Sequence, residues 1–133
     1  MGLTVEIVTP ERVAYSAEDA ELVAVPGVVG ELGFESGHIP LLGEMAIGEV
    51  RIHTGGAIEK LAVSGGIVEA SPDKVFILAE TGERAEEIDA DRAERARARA
   101  EKRLSSRDTA DTDTERARLA LLRAINRLKV SGR

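Results

Sequence analysis

The chain has 133 residues, 43% of them hydrophobic and 32% charged, with no cysteine and a formal net charge of -6. That suffices for one ordinary domain, or a small domain with an appendage, and makes a multi-domain enzyme a poor fit. Without Cys there are no disulfide scaffolds, thiolate nucleophiles or Cys-type zinc sites. The two histidines, His38 and His53, lack metal-ligand spacing, so no metal is expected.

Tyr15, Phe34 and Phe76 are the only aromatic residues, which nearly excludes stacking of nucleic-acid bases on aromatic platforms. The longest apolar run, Leu22 to Pro26, is far below the roughly 18 residues of a membrane span. The start of the chain carries no basic-then-apolar targeting pattern. A cytosolic or peripherally attached protein is the expectation. The acidic average hides an asymmetry: residues 1–79 carry 12 acidic and 4 basic side chains, residues 80–133 carry 12 and 14. Eleven of the 13 glycines and all 4 prolines also precede residue 80. Two regions follow, 1–84 and 85–133, divided near Thr81 to Glu87.

In chain order, Leu3, Val5 and Ile7 alternate with Thr4, Glu6 and Thr9, the period of two of a half-buried strand, and Pro10 interrupts it. RVAY, AELVAVP, GVVGELGF, AIGEVRI, AIEKLAV, GIVEA and KVFILAE continue the pattern. They are separated by Gly27, Gly30, Gly37, Gly43, Gly55-Gly56, Gly65-Gly66 and Pro72-Asp73, which read as turns. Eight or more short strands predict an all-β sandwich or barrel. The stretch GELGFESGHIPLLG, residues 30–43, has no clean period and reads as a surface loop. Pairing His38 with Glu31 or Glu35 as acid and base lacks a nucleophile. A partner interface using Leu32, Phe34 and Leu41 is the better reading, with simple loop packing as the alternative.

From Ile88 to Leu104 the Ala-, Arg- and Glu-rich IDADRAERARARAEKRL predicts a helix, with Asp89 as its N-cap. SSRDTADTD ends it, and Thr112 with Glu115 resembles a capping box for a second helix running to Leu128. Ala93, Ala96, Ala100 and Leu104 on one helix and Ala117, Leu121, Ala124, Ile125 and Leu128 on the other predict an antiparallel hairpin. A stripe made mostly of alanine buries little apolar area, so the hairpin should be able to come apart. Arg92, Arg95, Arg99 and Arg103 repeat along the first helix, and Arg123 and Arg127 are an i, i+4 pair on the second. Both sets could converge on one anion. The pattern alone favours a solvated surface paired with Glu94, Glu101 and Glu115.

Three motifs resemble one family, the epsilon subunit of the F-type ATP synthase. They are GELGFESGHIPLL, SGGIVEASPDKVFILAE at 64–80, and IDADRA at 88–93, which is similar to the signature of members that bind ATP. Ser36 and Gly43 depart from the family's usual residues. The resemblance implies a sandwich of about ten strands seated between the gamma subunit and the c ring of a proton-translocating motor. It implies a helical hairpin that is a movable arm, whose extended form reaches the catalytic alpha and beta subunits and suppresses ATP hydrolysis. Glu31 matches a c-ring contact and His38 a position near gamma. Glu83, Ile88, Asp89, Arg92, Arg99, Arg123 and Arg127 match nucleotide-binding positions. ATP, bound but not hydrolysed and with no metal, is the implied regulatory ligand, and the cytoplasmic face of the cell membrane the implied location. No Gly-x-x-x-x-Gly-Lys loop is present, so no ATPase activity is expected. The competing reading is a stand-alone ATP-sensing module without a motor, which leaves GELGFESGHIPLL unexplained. An arginine-helix nucleic-acid binder fits the acidic body poorly.

Overall fold

A computed structural model describes residues 2–106 and 111–132. Eight strands come first: β1 (Leu3–Val8), β2 (Val13–Ala20), β3 (Leu22–Gly27), β4 (Gly30–Glu35), β5 (Leu41–Thr54), β6 (Ala57–Ser71), β7 (Lys74–Ala79) and β8 (Gly82–Arg84). A 3-10 turn (Ala85–Glu87) then leads into helices α1 (Ala90–Leu104) and α2 (Asp111–Ser131). The strand order is β2-β1-β7-β6-β5-β3-β4, with β8 on β6. All neighbours are antiparallel except β1 and β7, which run parallel with Val5 opposite Val75.

The long β5–β6 hairpin makes this a sandwich. On the side away from β5, β6 pairs with β8 over Leu61–Val63 and with β7 over Gly66–Ser71. One strand therefore passes from one layer into the other at Gly65-Gly66. Counting β5 and β6 in both layers reconciles eight strands with the ten that the resemblance implies. The two glycines, expected to close a hairpin, instead form this corner inside a continuous strand. Gly66 has φ +137, and a Cβ there would stand 2.1 Å from the Leu78 carbonyl oxygen. Backbone passes where no side chain fits. Gly55-Gly56 does close the β5–β6 hairpin, with φ +54 and +84, as a two-residue turn with both residues in the left-handed region requires. Gly43 lies within β5 and is not a turn.

Inward side chains from both layers, among them Val5, Ile7, Phe34, Val50, Ile52, Leu61 and Ile77, merge into one core. Phe34 is a correction to the loop reading of residues 30–43. Residues 30–35 are strand β4, paired with β3 through Val23 opposite Phe34 and Val25 opposite Leu32. The alternation of Leu32 and Phe34 was masked by intervening Gly and Glu, and Phe34 is core with 1% of its surface exposed, so it offers no contact area to a partner. Only residues 36–40 lie between strands, and there Ile39 is exposed.

The helices pair through alanine. Ala93 and Ala100 of α1 and Ala117 and Ala124 of α2 are buried, and the small side chains let the two backbones approach closely. Asp89 is the N-cap of α1, its carboxylate accepting from the Arg92 amide at 3.0 Å. Helix α2 begins at Asp111, which puts Thr112 inside the helix and not at its cap; residues 107–110 of the expected linker lie outside the described residues. Ile125, expected on the apolar seam, is 45% exposed. The seam turns away from it because the end of α2 docks on the sandwich. Val130 packs with Ile88 and Ala62 in a second small core, and the Asn126 amide donates to the Gly48 carbonyl at 2.8 Å. The hairpin is thus folded against the body.

Candidate functional site: a cleft between sandwich and arm

Where β8 hands the chain to the helices, a cleft of about 580 Å³ opens. Its walls come from the β1–β2 turn (Thr9, Arg12), from β8 and its lead-in, and from α1; Ala93 and Ala96 of α1 leave the room, and Arg127 of α2 reaches in from the far side. Five residues singled out in the sequence meet here: Glu83, Asp89, Arg92, Arg99 and Arg127. Arg92 and Arg99 stand two turns apart on α1, so both face the same space. Arg127 donates through Nε to Glu83 Oε1 at 2.6 Å, in an ion pair whose partners are 29% and 31% exposed. This bond ties the second helix to strand β8. Among the described residues, Arg92 and Arg99 make no ion pair.

Two residues of the set do not line the cleft. Ile88 lies beneath it, 2% exposed and packed with Val130. Arg123 is half-buried on α2, one turn before Arg127. Sequence reasoning missed Arg12, which lines the wall and forms a two-bond ion pair with Glu87, at 2.9 and 3.2 Å. It also donates to the Gly82 carbonyl at 3.0 Å. The guanidinium of Arg12, with help from the Arg84 amide, holds the Glu87 carboxyl below the usual carboxylate range. A lone arginine in a strand-rich stretch, 75 residues before its partner, leaves no signal in sequence.

The cleft mixes signs. Glu83 and Glu87 neutralise Arg127 and Arg12, which leaves Arg92 and Arg99 facing Glu11, Glu80 and Asp89. Such a site suits a ligand with an anionic end for guanidinium forks and a hydroxyl- or amine-bearing end for carboxylates. No cluster of His, Asp and Glu among the described residues is arranged to hold a metal ion. The two predicted interface residues lie elsewhere. Glu31, on β4, is ion-paired with Arg51 of β5, which also meets Glu49 at 3.4 Å. His38 sits between β4 and β5, its Nδ1 donating to the Ile39 carbonyl and its ring edge-on to Phe34 at 5.0 Å.

The architecture is a β-sandwich carrying a docked two-helix arm, and comparison with known proteins gives the same division. Residues 2–85 match the family model of the ATP synthase delta/epsilon chain beta-sandwich domain, and residues 86–132 that of its long alpha-helix domain. The ATP synthase epsilon chain of Bacillus licheniformis is 52% identical over 129 residues, 97% of each chain. That of Halalkalibacterium halodurans is 47% identical over 131 residues, 98% of each. A chain of the Euglena gracilis mitochondrial ATP synthase shares the fold, with a TM-score of 0.80 at 20% identity over 91% of this chain and 76% of that one. A chain of the Tetrahymena thermophila mitochondrial central stalk and c-ring structure gives 0.63 at 13% identity over 98% and 97%. The chain belongs to the ATP synthase delta/epsilon chain family. It is a non-catalytic stalk subunit of the F-type enzyme.

Proposed function

We propose that the sandwich, residues 1–84, seats this subunit between the gamma subunit and the c ring, and that residues 85–133 are a regulatory arm. In the docked state described above the arm leaves hydrolysis unimpeded; extended, it reaches the catalytic alpha and beta subunits and suppresses hydrolysis. ATP is the ligand that favours the docked state. The observation that carries this reading is the cleft itself. Its walls come from the sandwich, α1 and α2 together, so a molecule that fills it contacts surfaces that separate when the arm leaves. Arg99 and Arg92 would take the phosphates, joined by Arg127 from the facing helix. Glu83 orients Arg127 through their hydrogen bond, and Asp89 caps the helix that presents Arg92. Arg123 remains a proposed ligand through a rotamer change on α2. Glu31, braced by Arg51, would meet the c ring, and His38 would lie near gamma. The protein then works at the cytoplasmic face of the cell membrane, attached through its partners, and none of the described helices is long and apolar enough to cross a membrane.

The test is calorimetric titration of ATP into the isolated chain, with GTP as control, for the wild type and for Arg99→Ala and Arg127→Ala. Selective binding that weakens in both variants is expected. Wild-type affinity in both would refute the clamp.

A further inference from the structure

The segment 82–89 carries Glu83 and Asp89 and joins the sandwich to the arm, so whatever fixes its path fixes the cleft. It is held from one side by the beginning of β2 and the turn before it. That turn is itself rigid. Thr9 Oγ1 accepts from the amides of Glu11 and Arg12 at 3.3 and 3.2 Å, and the Thr9 amide donates to the Arg12 carbonyl at 2.9 Å. From this base the Arg12 guanidinium spans the segment, bonding Gly82 O at one end and both oxygens of Glu87 at the other. Glu87 Oε1 also accepts from the Arg84 amide at 2.9 Å, closing the 3-10 turn on itself. Arg84 in turn donates through Nε to the Ala14 carbonyl at 3.3 Å and lies over the Tyr15 ring at 5.3 Å.

We propose that Arg12 is a positioning residue of the cleft: through Glu87 it clasps the 82–87 lead-in to the sandwich and so sets where Glu83 and Asp89 stand. The inference rests on the nucleotide reading above and deepens it. Three of the five N–H groups of Arg12, from both terminal nitrogens, are engaged by the protein, which assigns it the part of shaping the site. The clasp acts whether or not a ligand is present. It keeps the lead-in with the sandwich and leaves the arm to swing from Ile88 onward, where the small core with Val130 and the Asn126–Gly48 and Arg127–Glu83 bonds must open. An exposed ion pair is ordinarily weak, but two parallel bonds between planar groups, anchored on a fixed turn, form the favourable exception.

The experiment uses the full chain, with Arg12→Ala, Glu87→Gln, their double variant and the charge swap Arg12→Glu/Glu87→Arg. Two readouts are taken: amide hydrogen exchange across residues 84–90 without ligand, and calorimetric ATP affinity. Each single variant should speed exchange at 84–90 while β5 and β6 stay protected, and weaken ATP about three- to tenfold. The double variant should be no worse than the singles, and the swap should recover part of the loss. Unchanged exchange at 84–90 in both singles overturns the clasp. Additive affinity losses with unchanged exchange would make Arg12 a ligand contact instead, and also overturn it. If the wild type binds no ATP, the nucleotide reading fails, and exchange in the ligand-free chain still decides for or against the clasp.

Discussion

Val130 is the side chain whose loss should release the arm. It is 3% exposed and packs with Ile88 and Ala62, the small core joining the end of α2 to the sandwich. Val130→Ala removes two methyl carbons. At about 0.8 kcal/mol per buried carbon the transfer cost is about 1.6 kcal/mol, and an unrelaxed cavity would raise it to about 2.5 kcal/mol. These figures correspond to a shift of about 15- to 70-fold toward the undocked arm. Val130 directly precedes Ser131, the last residue of α2, where the backbone yields more readily than within a sheet, so the lower half of that range is expected. Trypsin reads the shift directly, because the arm is rich in arginine and cleavage within a helix requires local opening. At low protease concentration the cleavage rate of the arm should rise by that factor while the sandwich survives intact. Leu122→Ala is the control. Leu122 is 41% exposed, and its truncation should change the rate by no more than about twofold. Wild-type protection in Val130→Ala would refute the idea that this small core docks the arm, and would shift the docking to other contacts such as the Asn126 and Arg127 bonds.

The half-buried Arg127–Glu83 pair should behave as one unit: Glu83→Gln and Arg127→Met each loosen the arm in the trypsin assay, and the double variant shows a coupling of about 1 kcal/mol. Gly66→Ala should destabilise the sandwich by at least about 3 kcal/mol in a denaturant titration, since the new Cβ meets the Leu78 carbonyl at 2.1 Å. Gly56→Ala, at φ +84 with open space around it, should cost only about 1–2 kcal/mol. Glu87 has its folded-state pKa lowered by Arg12, so the clasp contributes fully above the ordinary carboxylate pKa and is lost as pH falls through the lowered value. Carboxyl NMR should show Glu87 titrating below the ordinary range in the wild type and returning toward it in Arg12→Ala.

How much of this was legible in the sequence depends on the range over which each feature is determined. The α1 boundary is local: Asp89 before an Ala- and Arg-rich run states a cap and a helix, and both are where the sequence put them. Alternation gave most of the strands for the same reason. It failed at β4, where Leu32 and Phe34 alternate with Glu31, Gly33 and Glu35, and a strand whose other face is glycine and glutamate looks like a loop. It failed again at Gly65-Gly66, because a glycine pair requires positive φ in a tight turn and at a layer-crossing corner alike, and only the partner strand distinguishes them. The gathering of Arg99 and Arg127 followed from helical spacing and the pairing of two helices, so it was expected. What local spacing cannot contain is which arginine is already spoken for. Arg97, on the same helix, is ion-paired with Glu94 and Glu101 and turned away from the cleft, as the solvated-surface reading required. Arg92 and Arg99 lack such partners among the described residues and face the opening. The helix is therefore divided: Arg97 belongs to a salt-bridged surface, and Arg92 and Arg99 line the cleft in which an anion is proposed. The division is made by the docking of α1 beside β8 and the β1–β2 turn, which leaves one side of the helix in solvent and turns the other into the wall of the cleft.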